Sequence, residues 1–221
     1  MEITQSNAWQ ALQQQLWLPG AELKLTPIPA TDVQLALLTL ADPQMQLDSQ
    51  AIQAWWQNLP YWAFAWAGGQ ALARYLRQQS LHGKTVLDFG CGSGLAGIAA
   101  AKAGARVYVL DSDPQALVAA EVNAQLNQVE VMPLSSLQQA PNIDMVLAAD
   151  VLYDISSNVD LRRWLQRVPS WLLAESEQIV GRYSQLPELQ RLQQEIVSTL
   201  PVLGDFDQQL EICIYRCQVN D

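Results

Sequence analysis

A glycine-rich turn between a predicted strand and a predicted helix is the first feature of the sequence that could do chemistry. It reads Asp88-Phe89-Gly90-Cys91-Gly92-Ser93-Gly94 and follows an apolar run. Glycines let the backbone approach a ligand closely, and the N-terminus of the next helix offers free N–H groups and partial positive charge. In open α/β sheets, ligands bind at this edge of the strands. We therefore predict a small-molecule site at this turn.

Two ligand classes fit the turn. Gly92, Gly94 and Gly97 have the Gly-x-Gly-x-x-Gly spacing that suits the pyrophosphate of a dinucleotide such as NAD. Asp88, however, puts an anion directly before the glycines, where a pyrophosphate would need positive charge. A carboxylate there suits a cationic or zwitterionic ligand instead, such as the methionine moiety and sulfonium of S-adenosylmethionine. The residues alone leave both classes open.

Two more acids follow predicted strands at the same edge. Asp111 ends the next strand, where its two oxygens could hold both hydroxyls of a ribose in either ligand class. Its neighbour Asp113 is predicted to cap the following helix. Asp150 and Tyr153 follow a later strand and arrive where a reacting group would sit. In the alternative, Asp150 caps the next helix and Tyr153 packs in the core.

The elements that must position these residues alternate along the chain from residue 84 onward. Apolar, β-rich runs alternate with Ala-rich helical runs, which is the pattern of βαβ units and a parallel sheet. Predicted strands cover residues 85–89, 106–110, 129–132, 145–149, 178–181 and 210–217, with 171–173 competing for the fifth and 202–206 as a hairpin partner of the last. Predicted helices cover residues 70–79, 95–103, 114–126, 158–168 and 186–200.

An accessory layer precedes this region. Apolar residues at helical spacing predict a helix over residues 8–18, and alternating patterns at 23–25 and 33–35 predict two short strands joined by a bend. We therefore divide the chain into an N-terminal extension, residues 1–58, and one compact domain, residues 59–221.

Composition and charge exclude several classes of function. The 221 residues carry 22 acidic and 12 basic side chains, a net charge of −10. Nucleic acids and anionic membranes attract positive surfaces, so neither is expected as a partner. The single histidine, His82, lies in a turn signal, which argues against a catalytic triad or a metal site. Cys91, Cys213 and Cys217 form no CxxC pair, which favours a reducing compartment, and we predict a soluble, cytoplasmic protein.

These motifs together resemble the seven-strand S-adenosylmethionine-dependent methyltransferases. Asp88-x-Gly90-x-Gly92-x-Gly94, the acid Asp111 and Asp150-x-x-Tyr153 are similar to the lysine methyltransferases that carry an (Asp/Glu)-x-x-(Tyr/Phe) motif after the fourth strand. Residues 60–76, PYWAFAWAGGQALARYL, resemble the segment before the sheet in the electron transfer flavoprotein β-subunit lysine methyltransferases. That group includes bacterial members often labelled nicotinamide N-methyltransferase-like.

The resemblance implies a fold, a cofactor and a set of site residues. The fold is an α/β, Rossmann-like, doubly wound sheet of seven strands, mostly parallel with the last strand antiparallel, and the cofactor is S-adenosylmethionine. Asp111 would take the ribose, Ala149 and Tyr153 would close over the methionine end, and Asp150 would face the substrate amine. The implied cofactor-binding residues are Trp66, Asp88, Gly90, Cys91, Gly92, Gly94, Asp111, Ser135, Ala149 and Tyr153, and the implied catalytic residues are Asp150 and Tyr153.

The chain departs from the family pattern in two places. After the third predicted strand, Met132-Pro133-Leu134-Ser135 stands where related enzymes often have an acid near the adenine, so backbone groups or Ser135 must read the adenine. After the predicted fifth strand, Gly181-Arg182-Tyr183-Ser184 stands where close relatives tend to have Gly-Asp-Pro-Gly-Arg. The second departure bears on the substrate side of the site.

By the resemblance, the reaction is methylation of a lysine in a protein, with the electron transfer flavoprotein β-subunit as the suspected substrate. A neutral amine would attack the sulfonium methyl in line, with Asp150 as a hydrogen-bonding group that orients the amine and tolerates its deprotonation. The alternatives are methylation of a small amine or pyridine nitrogen, a non-catalytic nucleotide-binding module, and an NAD-linked oxidoreductase.

Overall fold

A seven-stranded β-sheet carries the glycine turn and the acids that follow it. The structure is a computed structural model that describes residues 3–17, 20–40, 57–152, 163–164, 166–182, 189–202 and 207–218. Its strands, numbered along the chain, are β1 (Ala21–Pro27), β2 (Gln34–Leu40), β3 (Thr85–Phe89), β4 (Arg106–Leu110), β5 (Met132–Pro133), β6 (Met145–Ala149), β7 (Ser170–Ser176), β8 (Gln190–Val197) and β9 (Leu210–Gln218). The order in the sheet is β5-β4-β3-β6-β7-β9-β8. Within this described sheet β9 alone runs opposite to the other six strands, so the predicted fold class is confirmed.

Side chains of the sheet are buried on both of its faces. The helices are α1 (Asn7–Gln14), α2 (Ala67–Leu76), α3 (Leu95–Lys102), α4 (Pro114–Leu126) and α5 (Glu177–Val180). Val86 of β3 belongs to the core that contains α2 and α3, whereas its neighbour Leu87 belongs to the core of the opposite face. This alternation is expected of a strand covered on both sides. Among the described residues, every helix is too short or too polar to cross a bilayer.

The N-terminal layer is a helix and a β-hairpin. Strands β1 and β2 pair antiparallel from Ala21↔Leu40 to Pro27↔Gln34, so the two predicted short strands are confirmed and are longer than predicted. Both α1 and β2 pack against α4. Residues 41–56, which complete the predicted extension, lie outside the described residues.

The fifth strand lies at the competing position and not at residues 178–181. Strand β7 contains residues 171–173, and α5 occupies most of the predicted position, which corrects the prediction. Central parallel strands are covered on both faces and read as continuous apolar runs, and the interior of β7 is buried at every residue. The apolar run at residues 171–173 is therefore typical of a buried strand. Because apolar and polar residues do not alternate in it, the pattern alone did not distinguish a strand from the end of a helix.

The prediction of a helix over residues 186–200 is wrong. Strand β8 occupies this region and pairs antiparallel with β9, with a bulge between Arg191 and Gln193. As an edge strand, β8 is mostly exposed or half-buried, so its apolar residues do not alternate, and pairing with a distant strand decides its conformation. Strand β9 pairs antiparallel with β8. Residues 203–206 of its predicted hairpin partner, 202–206, lie outside the described residues.

Two further elements differ from their predicted ranges. Strand β5 shares only Met132 with the strand predicted over residues 129–132, because it is a two-residue edge strand beside β4. Most of the helix predicted over residues 158–168 lies outside the described residues.

Candidate functional site

A cavity of about 810 Å³ opens at the carboxyl ends of β3, β4 and β6. This volume lies within the range of about 300–1,000 Å³ that is typical of small-molecule sites. The predicted site residues that line it are Trp66, Gly90, Gly92, Asp111, Ser135, Ala149 and Asp150. Residues from four separate predicted motifs therefore meet at one edge of the sheet. Tyr153 lies outside the described residues.

The glycine turn bends around the end of β4. The N–H groups of Gly90 and Cys91 both donate to the carbonyl oxygen of Leu110, at 2.8 and 3.2 Å. Gly92 has a φ of +49°. A Cβ built on Gly92 would meet no atom within 4 Å, so its backbone is open to a ligand on the cavity side.

Three predicted cofactor residues are not among those that line the cavity. Asp88 is only 3% exposed and accepts a hydrogen bond from the N–H of Gly97 in α3, at 2.8 Å. Cys91 is buried in the core that contains α2 and α3. Gly94 is the N-cap of α3, and a Cβ there would lie 2.8 Å from the Cβ of Ala120. These residues hold the turn against the helices behind it.

Burial of the Asp88 carboxylate makes stability depend on pH. Loss of water around it, and to a smaller extent the charge of Asp111, raises the pKa of Asp88 from 3.8 to about 7, although the N–H of Gly97 opposes this shift. Between these two values the folded state holds a proton that the unfolded state has lost. The free energy of unfolding therefore decreases as pH rises through this window.

We expect Asp88→Asn to remove part of this pH dependence. Wild-type protein should be less stable to urea at pH 7.5 than at pH 5.5, and the loss should be smaller in the variant, whose neutral amide still offers Gly97 an acceptor. Urea unfolding followed by circular dichroism at the two pH values measures both slopes. Equal slopes in the two proteins would show that Asp88 does not titrate in this window.

Asp111 connects the glycine turn to the start of α4. Its Oδ2 accepts from the N–H of Gly92 and its Oδ1 from the N–H of Asp113, each at 2.9 Å. An ionised carboxylate has about four lone-pair positions, so acceptor capacity remains on both oxygens. Asp113 accepts from the N–H of Gln115 at 2.8 Å, which confirms it as the cap of α4.

Asp150 lines the opposite side of the cavity and holds the N-terminus of α2. Its two oxygens accept from the N–H groups of Gly68 and Gly69, each at 3.2 Å. It therefore holds the start of an earlier helix. Residues 153–162, where the alternative drawn from the sequence places the helix that it would cap, lie outside the described residues. Its φ of +57° is unusual for a residue other than glycine, and backbone strain of this kind is concentrated at functional sites.

A second carboxylate lies beside Asp150. Glu175 follows Ala174 in β7, whose carbonyl oxygen accepts from the N–H of Asp150 at 3.1 Å. Removal from water, and then the charge of Glu175, raises the pKa of Asp150 to about 8, and burial raises the pKa of Glu175 as well. The pair therefore retains a proton at neutral pH. Glu175 was not among the predicted site residues, because the fifth strand was predicted at residues 178–181, which follow Glu175.

Aromatic side chains form a further wall of the cavity. The ring of Trp66 stacks on Tyr61 with centroids 5.5 Å apart, and its Nε1–H donates to the carbonyl oxygen of Tyr61 at 2.9 Å. Trp62 is buried and also lines the cavity. Tyr61 is 61% exposed, and sequence reasoning missed it although it stands in the same aromatic run. Tyr61 therefore lies on the solvent side of the cavity, where a second ligand, in addition to one at the glycine turn, would enter.

The charge of the lining favours a cation. Asp111 and Asp113 contribute carboxylates, Asp150 contributes a carboxyl group that shares a proton with Glu175 at neutral pH, and no lysine, arginine or histidine is among the described lining residues. A dinucleotide pyrophosphate would meet negative charge there without a basic partner. The lining therefore favours the cationic or zwitterionic ligand class over the dinucleotide.

Comparisons of the sequence agree with this choice. The profile of the family "Ribosomal protein L11 methyltransferase (PrmA)" matches residues 70–161. The human electron transfer flavoprotein beta subunit lysine methyltransferase is 37% identical over 65% of this chain and 55% of its own length. The Caenorhabditis elegans homolog of that enzyme is 30% identical, over 65% of each chain. The chain thus spans little more than half of the human relative.

Solved structures with a similar fold include methyltransferases of low sequence identity. The tRNA (uracil-54, C5)-methyltransferase of Pyrococcus abyssi, in complex with S-adenosyl-L-homocysteine, has a TM-score of 0.52 and 16% identity, and it covers 88% of this chain and 44% of its own. A putative RNA methyltransferase of Pyrococcus horikoshii has a TM-score of 0.50 and 15% identity, over 69% and 83% of the two chains. These likenesses concern the fold. The profile match and the relatives above show that the chain is similar in sequence to methyltransferases, and its fold is that of the seven-strand S-adenosylmethionine-dependent methyltransferases.

Proposed function

We propose that this protein is an S-adenosylmethionine-dependent N-methyltransferase whose substrate is a lysine side chain of another protein. The observation that carries the proposal is the cavity itself, in which the glycine turn and Asp111 face Asp150 and the aromatic wall. One side of the cavity then binds the cofactor and the other receives the amine. By similarity to the relatives, the proposed substrate is the β-subunit of electron transfer flavoprotein.

The residues present fit this cofactor. Gly92 offers an open backbone for the methionine end, Gly90 lines the cavity beside it, and Asp111 keeps acceptor capacity on both oxygens for two ribose hydroxyls. Ser135 lines the cavity and is the proposed contact to adenine, in place of the acid that relatives have there. Asp88, Cys91 and Gly94 support the turn from behind. Tyr153 keeps its proposed role at the methionine end from the sequence alone.

The cofactor would supply a methyl group on a sulfonium, which becomes neutral on transfer. The protein holds the amine nitrogen in line with that methyl group and excludes water. A lysine has an ordinary pKa of about 10.4, so it arrives as an ammonium and must lose a proton before it attacks. Asp150 is the proposed acceptor of a hydrogen bond from this nitrogen, and its raised pKa suits a group that gains and loses a proton near neutral pH.

A protein lysine fits the charge of the chain better than nicotinamide does. The net charge of −10 favours encounter with a cationic target, and added salt should weaken this effect. Nicotinamide is uncharged at neutral pH and gains nothing from the acidic lining. We also propose that the protein works in a reducing compartment such as the cytoplasm, since Cys91, Cys213 and Cys217 are free and buried.

Methyl transfer from radiolabelled S-adenosylmethionine tests the proposal. Label should enter protein in a lysate, and it should enter less protein at higher ionic strength. Label found only in small molecules would replace the protein substrate with a small amine. Absence of transfer, together with binding of NAD in a calorimetric titration, would contradict the methyltransferase assignment.

A further inference from the structure

Asn123 is a polar residue with no exposed surface in the middle of α4, and the proposed mechanism does not use it. Its Oδ1 accepts from the N–H of Ala36 in β2 at 2.7 Å. Its Nδ2 donates to the carbonyl oxygen of Ser93 in the glycine turn at 2.8 Å. One side chain therefore joins the N-terminal hairpin to the turn that carries the proposed cofactor site.

The partners fix the orientation of this amide. A backbone N–H can only donate and a carbonyl oxygen can only accept, so exchanging the oxygen and nitrogen of Asn123 would break both bonds. Ser93 is itself buried, and the adjacent Gly94 packs against Ala120 of the same helix. The turn therefore rests on α4 through one hydrogen bond and one close packing contact, and the hydrogen bond is shared with β2.

Asn127, the C-cap residue that follows α4, makes matching contacts to the hairpin but none to the glycine turn. Its Oδ1 accepts from the N–H of Gln34 at 3.0 Å, and its Nδ2 donates to the carbonyl oxygen of Gln34 at 2.6 Å. Its remaining bond, at 2.7 Å, goes to the carbonyl oxygen of Asn123. Both asparagines thus attach β2 to α4, but only Asn123 also holds the glycine turn.

We propose that Asn123 is a positioning residue that couples the β1–β2 hairpin to the glycine turn, so that the N-terminal extension helps to set cofactor affinity. The described residues before Tyr61 contribute nothing to the lining of the cavity, so this hairpin acts from behind the turn and not as a cover over the ligand. The part of the inference that concerns affinity rests on the proposed function. The part that concerns the turn rests on the hydrogen bonds alone.

The test compares Asn123→Ala with Asn127→Ala, each confirmed to be folded by circular dichroism. Each change leaves backbone groups of β2 without their side-chain partner, at buried Ala36 in Asn123→Ala and at exposed Gln34 in Asn127→Ala, so both should lower the unfolding temperature. Asn123→Ala should also raise the Kd for S-adenosylhomocysteine about tenfold, because the carbonyl of Ser93 loses its donor. Asn127→Ala should leave that Kd within about twofold. Titration calorimetry gives both values, and equal changes in the two variants would overturn the proposal.

Hydrogen exchange of the protein without cofactor provides a second measurement. The N–H groups of Gly92 and Gly94 are bonded to Asp111 and Cys91, so their exchange rates report on the order of the turn. They should exchange faster in Asn123→Ala and at the wild-type rate in Asn127→Ala. Unchanged exchange in Asn123→Ala would overturn the coupling. If wild-type protein is folded but does not bind S-adenosylhomocysteine, the cofactor assignment has failed, and hydrogen exchange still decides whether Asn123 orders the turn.

Discussion

Replacing Asp150 with asparagine is expected to lower the rate of methyl transfer about 100-fold while leaving the Kd for S-adenosylhomocysteine within a few-fold. The amide keeps the size of the side chain and one acceptor for the N–H groups of Gly68 and Gly69. It loses the charge and the basic lone pairs that would orient the amine and accept its proton. Single-turnover kinetics with saturating cofactor, together with calorimetry, separate the two effects.

The variant Glu175→Gln tests the role of the carboxylate beside Asp150. Glu175 is buried and is not among the described residues that line the cavity. Because its charge raises the pKa of Asp150, Glu175→Gln should move the acidic limb of the rate–pH profile to lower pH. Near-normal turnover in Asp150→Asn, with an unshifted profile in Glu175→Gln, would show that Asp150 serves only to cap α2.

Replacing Asp111 with alanine should raise the Kd for S-adenosylhomocysteine about 100-fold, since loss of two hydrogen bonds to a charged acceptor costs about 3 kcal/mol. The ribose hydroxyls would lose both acceptors, and Gly92 would lose the bond that fixes its N–H. The raised pKa of Asp111, which burial causes, predicts that binding also weakens in acid as the carboxylate is protonated. Calorimetric titration at two pH values measures both effects.

Asp113 provides the control for this variant. It stands two residues from Asp111 and lines the same cavity, but its carboxylate caps α4. Asp113→Ala should therefore cost about 1 kcal/mol of stability and change cofactor affinity little. Equal weakening of binding by the two substitutions would mean that the order of the helix start, and not a ribose contact, determines affinity.

The sequence predicts the half of the sheet that carries the site. Strands β3, β4 and β6 are short apolar runs bounded by glycine or aspartate, and each ends at a residue that lines the cavity or adjoins one. The chemistry of these ends is local, because a strand-to-helix turn needs glycines and caps at fixed offsets. The pattern of residues 85–150 was therefore sufficient to place Gly92, Asp111 and Asp150 at one edge.

The remaining features depend on contacts between distant parts of the chain. Strand β8 is specified by pairing with β9, and its apolar residues carry a helical spacing that misled the prediction. The bond between Asn123 and Ser93 connects residues 30 positions apart and has no local signal. Only the structure identifies Glu175 as a partner of Asp150, because β6 and β7 pair in a register that places Ala149 opposite Ala174. The division into residues 1–58 and 59–221 stays a prediction.

The proposed function is transfer of a methyl group from S-adenosylmethionine to lysine in the β-subunit of electron transfer flavoprotein. The direct measurement is peptide mass spectrometry of the cognate subunit after incubation with cofactor and either wild-type protein or Asp150→Asn. We expect wild-type protein to add methyl groups to lysine and the variant to add far fewer in the same time. If the lysines stay unmodified while nicotinamide or another small amine in the mixture gains the methyl group, the protein-substrate claim is contradicted.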